Sequence, residues 1–147
     1  MSKEKYNILV ISSEFNENIV NNLYVGVKKC FEDKKVLADI KEIKVPGAFE
    51  LPYMAKQALD NNSKNIDCII TLGCVIKGET PHFDFISQAT TDAIMRLSIE
   101  SKKPIGNGII TCLNMAQAKA RSKKGSEATK AVLAVLSQKW KHFLALK

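Results

Sequence analysis

Four stretches of the chain have the pattern of β-strands, and the segments between them have the pattern of helices. Residues 7–12 (NILVIS) are a short apolar run, residues 39–45 alternate, residues 68–75 are almost wholly apolar, and residues 104–111 (PIGNGIIT) form a run with two glycines. A continuous apolar run of strand length suits a strand covered on both faces, as in a parallel sheet. After the first strand, Ile19, Leu23, Val27, Cys30 and Phe31 recur at helical spacing, so one face of that helix packs on the sheet. A break at Pro46-Gly47-Ala48-Phe49-Glu50 precedes a helix over about residues 51–61, with Pro52 suited to its first turn. A long helix is expected from Pro81 to about Ser101, with Thr80 as its cap and Pro81 at its first position. Asn114 opens a short helix through Ala120, and Ser122, Lys123, Lys124 and Gly125 form a basic connector. The final helix carries Ala128, Ala131, Val132, Val135 and Leu136 on one side, then Trp140, Phe143 and Leu144, which predicts packing on the sheet and extension into a subunit contact. This order of elements gives a single α/β domain over residues 1–147, a three-layer sandwich with a four-stranded parallel sheet flanked by helices.

In such a sheet the loops after the strands converge at the carboxyl edge, where these folds bind ligands. Phe15 with Asn16, Ala48 to Glu50, and Val75 to His82 each follow a strand and therefore meet there. A helix starting after Thr80 turns free N–H groups and its positive dipole end towards the Gly78 loop, which favours an anion such as phosphate. His82 stands beside that anion as a proton shuttle, or serves only as a surface residue of a first helical turn; the local pattern leaves both open. Phe15 is either a staple on its own helix or an aromatic wall at the sheet edge. Glu50, beside a helix N-terminus, is explained by dipole compensation alone or by a binding role. Gly106 and Gly108 inside a strand indicate close approach of another backbone or of a ligand.

Composition narrows the function. The 147 residues are 46% hydrophobic and 25% charged, ordinary for a globular domain able to bury a core. No apolar run approaches the ~20 residues of a membrane span, and the start MSKEKYN lacks the apolar core of a signal peptide, so a cytoplasmic location without membrane association is expected. The net charge of +7 comes from lysines scattered in pairs with no aromatic residues alternating among them. That favours anionic small molecules over nucleic acid. Cys30, Cys68, Cys74 and Cys112 fall inside predicted elements at no metal-like spacing and are expected to be reduced, mostly buried thiols.

The motifs FN (Phe15, Asn16), VPGAFELP (from Val45), LGCVIKGETPHFDF (from Leu72), PIGNGIIT (from Pro104) and a KG pair before an alanine-rich helix occur in that order over nearly the whole chain. In these motifs the sequence resembles the lumazine synthases, enzymes of riboflavin biosynthesis. The resemblance implies a flavodoxin-like fold and a condensation of 5-amino-6-(D-ribitylamino)uracil with 3,4-dihydroxy-2-butanone 4-phosphate. The product is 6,7-dimethyl-8-ribityllumazine, phosphate and water are released, and no metal or organic cofactor takes part. It further implies that Phe15 stacks on the pyrimidine ring, Asn16 beside it also binds substrate, Ala48 and Phe49 hold the ligand, and Glu50 bonds the ribityl hydroxyls. Val75 and Ile76 line the ring pocket, Glu79 and Thr80 meet the phosphate through backbone N–H groups, and His82 moves protons. Arg121 corresponds to the family's phosphate-binding arginine and Lys124 to its lysine before the final helix. The family's pocket lies between subunits of a homopentamer, free or within a sixty-subunit shell, so the Asn107 edge reaches a neighbour's site.

Two features depart from the family pattern. Asn107 stands where many members have an aromatic residue, and the connector from Arg121 to Lys124 is several residues shorter than in many relatives. The competing reading is a binding module that holds a flavin or lumazine without making it; Thr80, His82 and Arg121 favour phosphate chemistry. An unrelated flavodoxin-like regulatory domain lacks support, because neither an acidic cluster nor a hydroxyl-rich phosphate loop follows the first strand.

Overall fold

Each apolar run becomes one strand of a single sheet. The structure is a computed structural model and describes residues 5–138; Trp140, Phe143 and Leu144, assigned by pattern to the last helix, lie outside the described residues. The elements run β1 (Tyr6–Ser13), α1 (Glu17–Asp33), β2 (Ala38–Val45), a 3-10 turn (Ala48–Glu50), α2 (Leu51–Asn62), β3 (Cys68–Ile76), α3 (His82–Ser101), β4 (Ile105–Cys112), α4 (Met115–Ala120) and α5 (Lys124–Leu136). All strand pairs are parallel, in the order β2-β1-β3-β4, with Ile8 opposite both Ile40 and Cys68, and Ile70 opposite Gly106. This is the flavodoxin-like three-layer arrangement.

The alternation of each strand sends side chains to two cores. One face packs Ile8, Val10, Cys68, Ile70 and Leu72 against α1, α4 and α5 through Leu23, Val27, Phe31, Ala118 and Val132. The other packs Leu9, Ile11, Ile69 and Ile109 against α2 and α3 through Leu51, Ala55, Leu59 and Ile94. Every residue of the α1 stripe read from the sequence is buried. The α5 stripe divides: Ala128 and Val132 are buried on the sheet, while Ala131 and Val135 are exposed.

Two local expectations change, and one left open is resolved in favour of close backbone approach. The helix after the GETP loop begins at His82, and Pro81 is its cap; the Thr80 hydroxyl accepts from the His82 N–H at 3.4 Å, so Thr80 still serves that end from one position further out. The connector before α5 is shorter than expected, because Lys124 and Gly125 belong to the helix. Gly106 and Gly108 make room for neighbouring protein: a Cβ on Gly106 would meet Val132 Cγ2 at 2.8 Å and the Ala128 carbonyl at 3.1 Å, and one on Gly108 would meet the Thr71 carbonyl at 2.8 Å.

All four cysteines are free and buried, as read from the sequence. Burial pushes the Cys68, Cys74 and Cys112 thiols up, Cys74 from 9.0 to about 12, and the adjacent Cys112 adds to the shift at Cys74. The folded chain therefore keeps a proton on Cys74 that the unfolded chain releases above pH 9, and stability must fall as pH rises through that window. The loss reaches about 1.4 kcal/mol per pH unit per thiol. The urea midpoint is expected to drop from pH 8 to pH 10 more steeply in the native sequence than in Cys74→Ala. Equal slopes in the two proteins would remove the thiol as the cause.

Candidate functional site

Strand order creates the crevice. The chain passes from β1 outward to β2 and then back across β1 to β3, so the connections diverge between β1 and β3, and ligands bind at such a switch point. The loops after β1, β2 and β3 surround it, and main-chain hydrogen bonds tie them together. Beyond the last pair of β1 and β2, the Glu14 N–H donates to the Val45 carbonyl at 2.7 Å and the Phe15 N–H to the Pro46 carbonyl at 3.0 Å. Asn16 adopts a left-handed conformation (φ 60°), which asparagine tolerates better than most residues. Its carbonyl accepts from Ile19 and Val20 to start α1, and its side-chain amide donates to the Cys74 carbonyl on β3 at 3.1 Å. Asn16 is thus the stitch between the first and third loops.

The ring of Phe15 stays 72% exposed at this edge, outside the buried face of α1, so it does not pack on its own helix as a staple would. Ala48 is buried, and Gly73 on β3 makes space for it and for Leu51: a Cβ there would lie 3.2 Å from Leu51 Cδ1 and 3.6 Å from Ala48 Cβ. Phe49 projects outward, 61% exposed. Glu50 Oε1 accepts from the Gly47 N–H at 2.8 Å, so one carboxylate oxygen caps its own loop, a local role beyond the dipole compensation read from the sequence. Val75 and Ile76 are half-buried on opposite faces of β3. After them the Lys77 N–H donates to the Cys112 carbonyl at 2.9 Å, anchoring the next loop to the end of β4. Glu79, Thr80 and His82 are exposed, with His82 at the first position of the twenty-residue α3.

The remaining predicted residues lie elsewhere in the same chain. Arg121 and Lys124 line a cleft of about 420 Å³ formed with Ile109, Ile110 and Thr111 of β4 and with Lys123 and Glu127. Asn107 lines another, about 480 Å³, at the outer edge of β4, among Met95, Ile99, Ala131 and Val135. Its Oδ1 accepts from the Ile109 N–H at 3.0 Å, so this side chain satisfies its own edge strand. One chain therefore gathers Phe15, Asn16, Ala48, Phe49, Glu50, Val75, Ile76, Glu79, Thr80 and His82 at the ends of β1, β2 and β3, and carries Asn107, Arg121 and Lys124 along the far side of β4. A larger cleft of about 640 Å³ opens at the amino ends of β1 and β2, and no predicted residue lines it.

Lys123, which the motifs do not single out, shares the cleft of Arg121 and Lys124 and adds a third cation against the single acid Glu127. The paired lysines beside a helix start were the available signal. Among the described residues no His, Cys, Asp and Glu side chains gather in a group of three or more fit for a metal ion, and no helix is long and apolar enough to cross a membrane.

Comparison with known proteins converges on one family. The family model for 6,7-dimethyl-8-ribityllumazine synthase matches residues 5–139. Proteins of that name from Polaromonas sp. and Agrobacterium fabrum are similar to this chain, at 38% identity over 86% of it and 82% of the relative, and at 37% over 93% and 97%. One from Limosilactobacillus reuteri is 41% identical over 80% of this chain and 77% of its own length. The match spans both the loops at the carboxyl edge and the β4 side of the sheet. The chain belongs to the 6,7-dimethyl-8-ribityllumazine synthase family.

Proposed function

We infer that this chain is an enzyme of riboflavin biosynthesis that condenses 5-amino-6-(D-ribitylamino)uracil with 3,4-dihydroxy-2-butanone 4-phosphate. The observation that carries the reading is the family match over residues 5–139, which includes both the GETPH loop and Arg121. The 5-amino group attacks the ketone and water leaves to give an imine. Loss of a proton next to the imine expels phosphate, and the resulting enol returns to a carbonyl. The ribityl-bearing nitrogen then closes the ring with loss of a second water. Each step moves a proton, and His82, exposed at the start of α3 beside the switch-point crevice, is the group suited to carry it. Phe15 stacks on the ring against Val75 and Ile76, with Ala48 and Phe49 holding its edge. Glu50 receives the ribityl hydroxyls on the carboxylate oxygen not engaged by Gly47. Holding two substrates in register supplies much of the remaining acceleration.

The phosphate is held from two directions. The backbone at Glu79 and Thr80 and the N-terminus of α3 lie at the crevice, whereas Arg121 and Lys124 line the separate cleft beside β4. A complete pocket then takes the crevice of one copy and the β4 side of the next in a cyclic homo-oligomer, and the family resemblance supports a pentamer. The chain works in the cytoplasm on small-molecule substrates.

The function is tested by mixing the purified protein with both substrates and following lumazine absorbance and phosphate release together. Both are expected to rise in step above the uncatalysed background. Ligand binding without turnover would favour the lumazine-holding module instead. The shared pocket predicts complementation between His82→Ala and Arg121→Gln, each impaired alone. Unfolded together and refolded as mixed rings at equal amounts, they should regain about a quarter of native activity at limiting substrate, since about one pocket in four pairs two intact halves. No recovery would place all the groups of a site in one chain.

A further inference from the structure

The cleft of Arg121 and Lys124 is bordered by α4, a helix of six residues. So short a helix gains little stability from its own backbone bonds, and what holds its ends decides whether it persists. Here two side chains hold the first turn. Asn114 Oδ1 accepts from the Gln117 N–H at 2.9 Å, and Gln117 Oε1 accepts from the Leu113 N–H at 2.8 Å. Asn114 thus caps the first turn, and Gln117 reaches back past the cap to tie it to Leu113, the residue before it. The third group of Gln117, its carbonyl, accepts from Arg121 Nη1 at 3.1 Å. The Arg121 N–H also donates to the Ala118 carbonyl at 3.1 Å. Ala118 is fully buried and fixes the inner side of α4 on the sheet, whereas Asn114 and Arg121 are exposed, so no packing fixes the outer side. The direction of the guanidinium is therefore set through Gln117, and the place of Gln117 is set by its cap with Asn114.

We propose that Asn114 and Gln117 are positioning residues for the Arg121 guanidinium, aiming it at the substrate's phosphate; this rests on the reading of Arg121 given above. A guanidinium meets a phosphate through two parallel N–H bonds only in a narrow range of orientations. Without the cap the first turn of α4 frays, the Gln117 carbonyl no longer fixes one N–H, and the fork samples orientations that cannot bind. An interaction that loosens in ground and transition states alike raises KM and leaves kcat in place.

The test uses the full-length protein with Asn114→Ala, Asn114→Ser, Arg121→Gln and the double variant Asn114→Ala/Arg121→Gln. The readouts are kcat, KM for each substrate and the inhibition constant of inorganic phosphate. Asn114→Ala is expected to raise KM for the phosphate-bearing ketone and the phosphate inhibition constant about fivefold, while kcat and KM for the aminouracil stay within about twofold. Asn114→Ser retains an oxygen able to accept from Gln117 N–H and should restore native constants. On the Arg121→Gln background the alanine change should add nothing. Equal effects on both substrates, or the same effect with and without Arg121, would overturn the proposal in favour of general loosening. If Arg121→Gln weakens phosphate and Asn114→Ala does not, positioning alone fails. If Arg121→Gln leaves the phosphate constants unchanged, the phosphate reading falls and the proposal falls with it.

Discussion

Replacing His82 by alanine is expected to slow turnover by about 100- to 10,000-fold, the range that a well-placed proton shuttle contributes. The side chain is exposed at the first position of α3, so its removal leaves no buried cavity and no unpaired buried group. Thermal stability and oligomeric state should accordingly stay native, because surface changes of this kind stay within about 0.5 kcal/mol. Residual turnover should still exceed the background, since the proposed stacking on Phe15 and phosphate contacts do not involve His82 and would still hold the substrates in register. Steady-state kinetics, with melting and sedimentation as controls, decide the matter. A kcat close to that of the native protein would strip His82 of its role and move attention to Lys77 or Glu79 on the same loop.

The largest expected effect on stability falls on a residue far from any chemistry. Gly125, in the first turn of α5, is buried against the backbone of Leu23 on α1, and a Cβ there would overlap the Leu23 carbonyl group. The colliding atoms are main chain, so no side-chain rotation relieves them, and α1 and α5 must separate. Gly125→Ala is expected to destabilise by about 3 kcal/mol or more. For a chain of this size that lowers the melting temperature by roughly 6–12 °C. Gly26 on the facing helix provides the control. A Cβ there would first meet Ser126 N at 3.4 Å, an ordinary contact, and its φ is not positive. Gly26→Ala should therefore be neutral or stabilising by up to about 1 kcal/mol through helix propensity. Equal melting temperatures for the two variants would show that the helices separate at no cost.

These two glycines mark where the sequence was legible and where it was not. The α1 stripe and the β3 run could be read because their period is set by local geometry and each faces a core on a known side. Convergence of Phe15, Glu50 and His82 followed from a parallel sheet alone. Sequence pattern does not name the partners of Gly106 and Gly108, because α5 and β3 meet them from twenty or more residues away, a distance over which no local pattern reports. The start of α5 was misplaced for a related reason: Gly125 looks like a breaker until the backbone of α1 is beside it. The separation of Arg121 from the crevice depends on β4 lying outermost in the sheet, a matter of strand order that hydrophobic periodicity does not encode. By contrast Asn114 before a short helix is legible as a cap from sequence, whereas the bond of Gln117 back to Leu113 is not.

The hydrogen bonds that continue past the ends of β1 and β2 bear on how a ligand meets Phe15. Glu14 and Phe15 donate their N–H groups to Val45 and Pro46, and Asn16 ties the next residue to β3, so three successive residues of this loop are held by the sheet before anything binds. An exposed aromatic on a slack loop would be ordered at the moment of association, and that lost freedom would be subtracted from the stacking energy. Here the backbone entropy is surrendered during folding. If a planar ring stacks on Phe15 as proposed, it meets a loop whose backbone is already fixed, and little of the stacking energy is spent on ordering it.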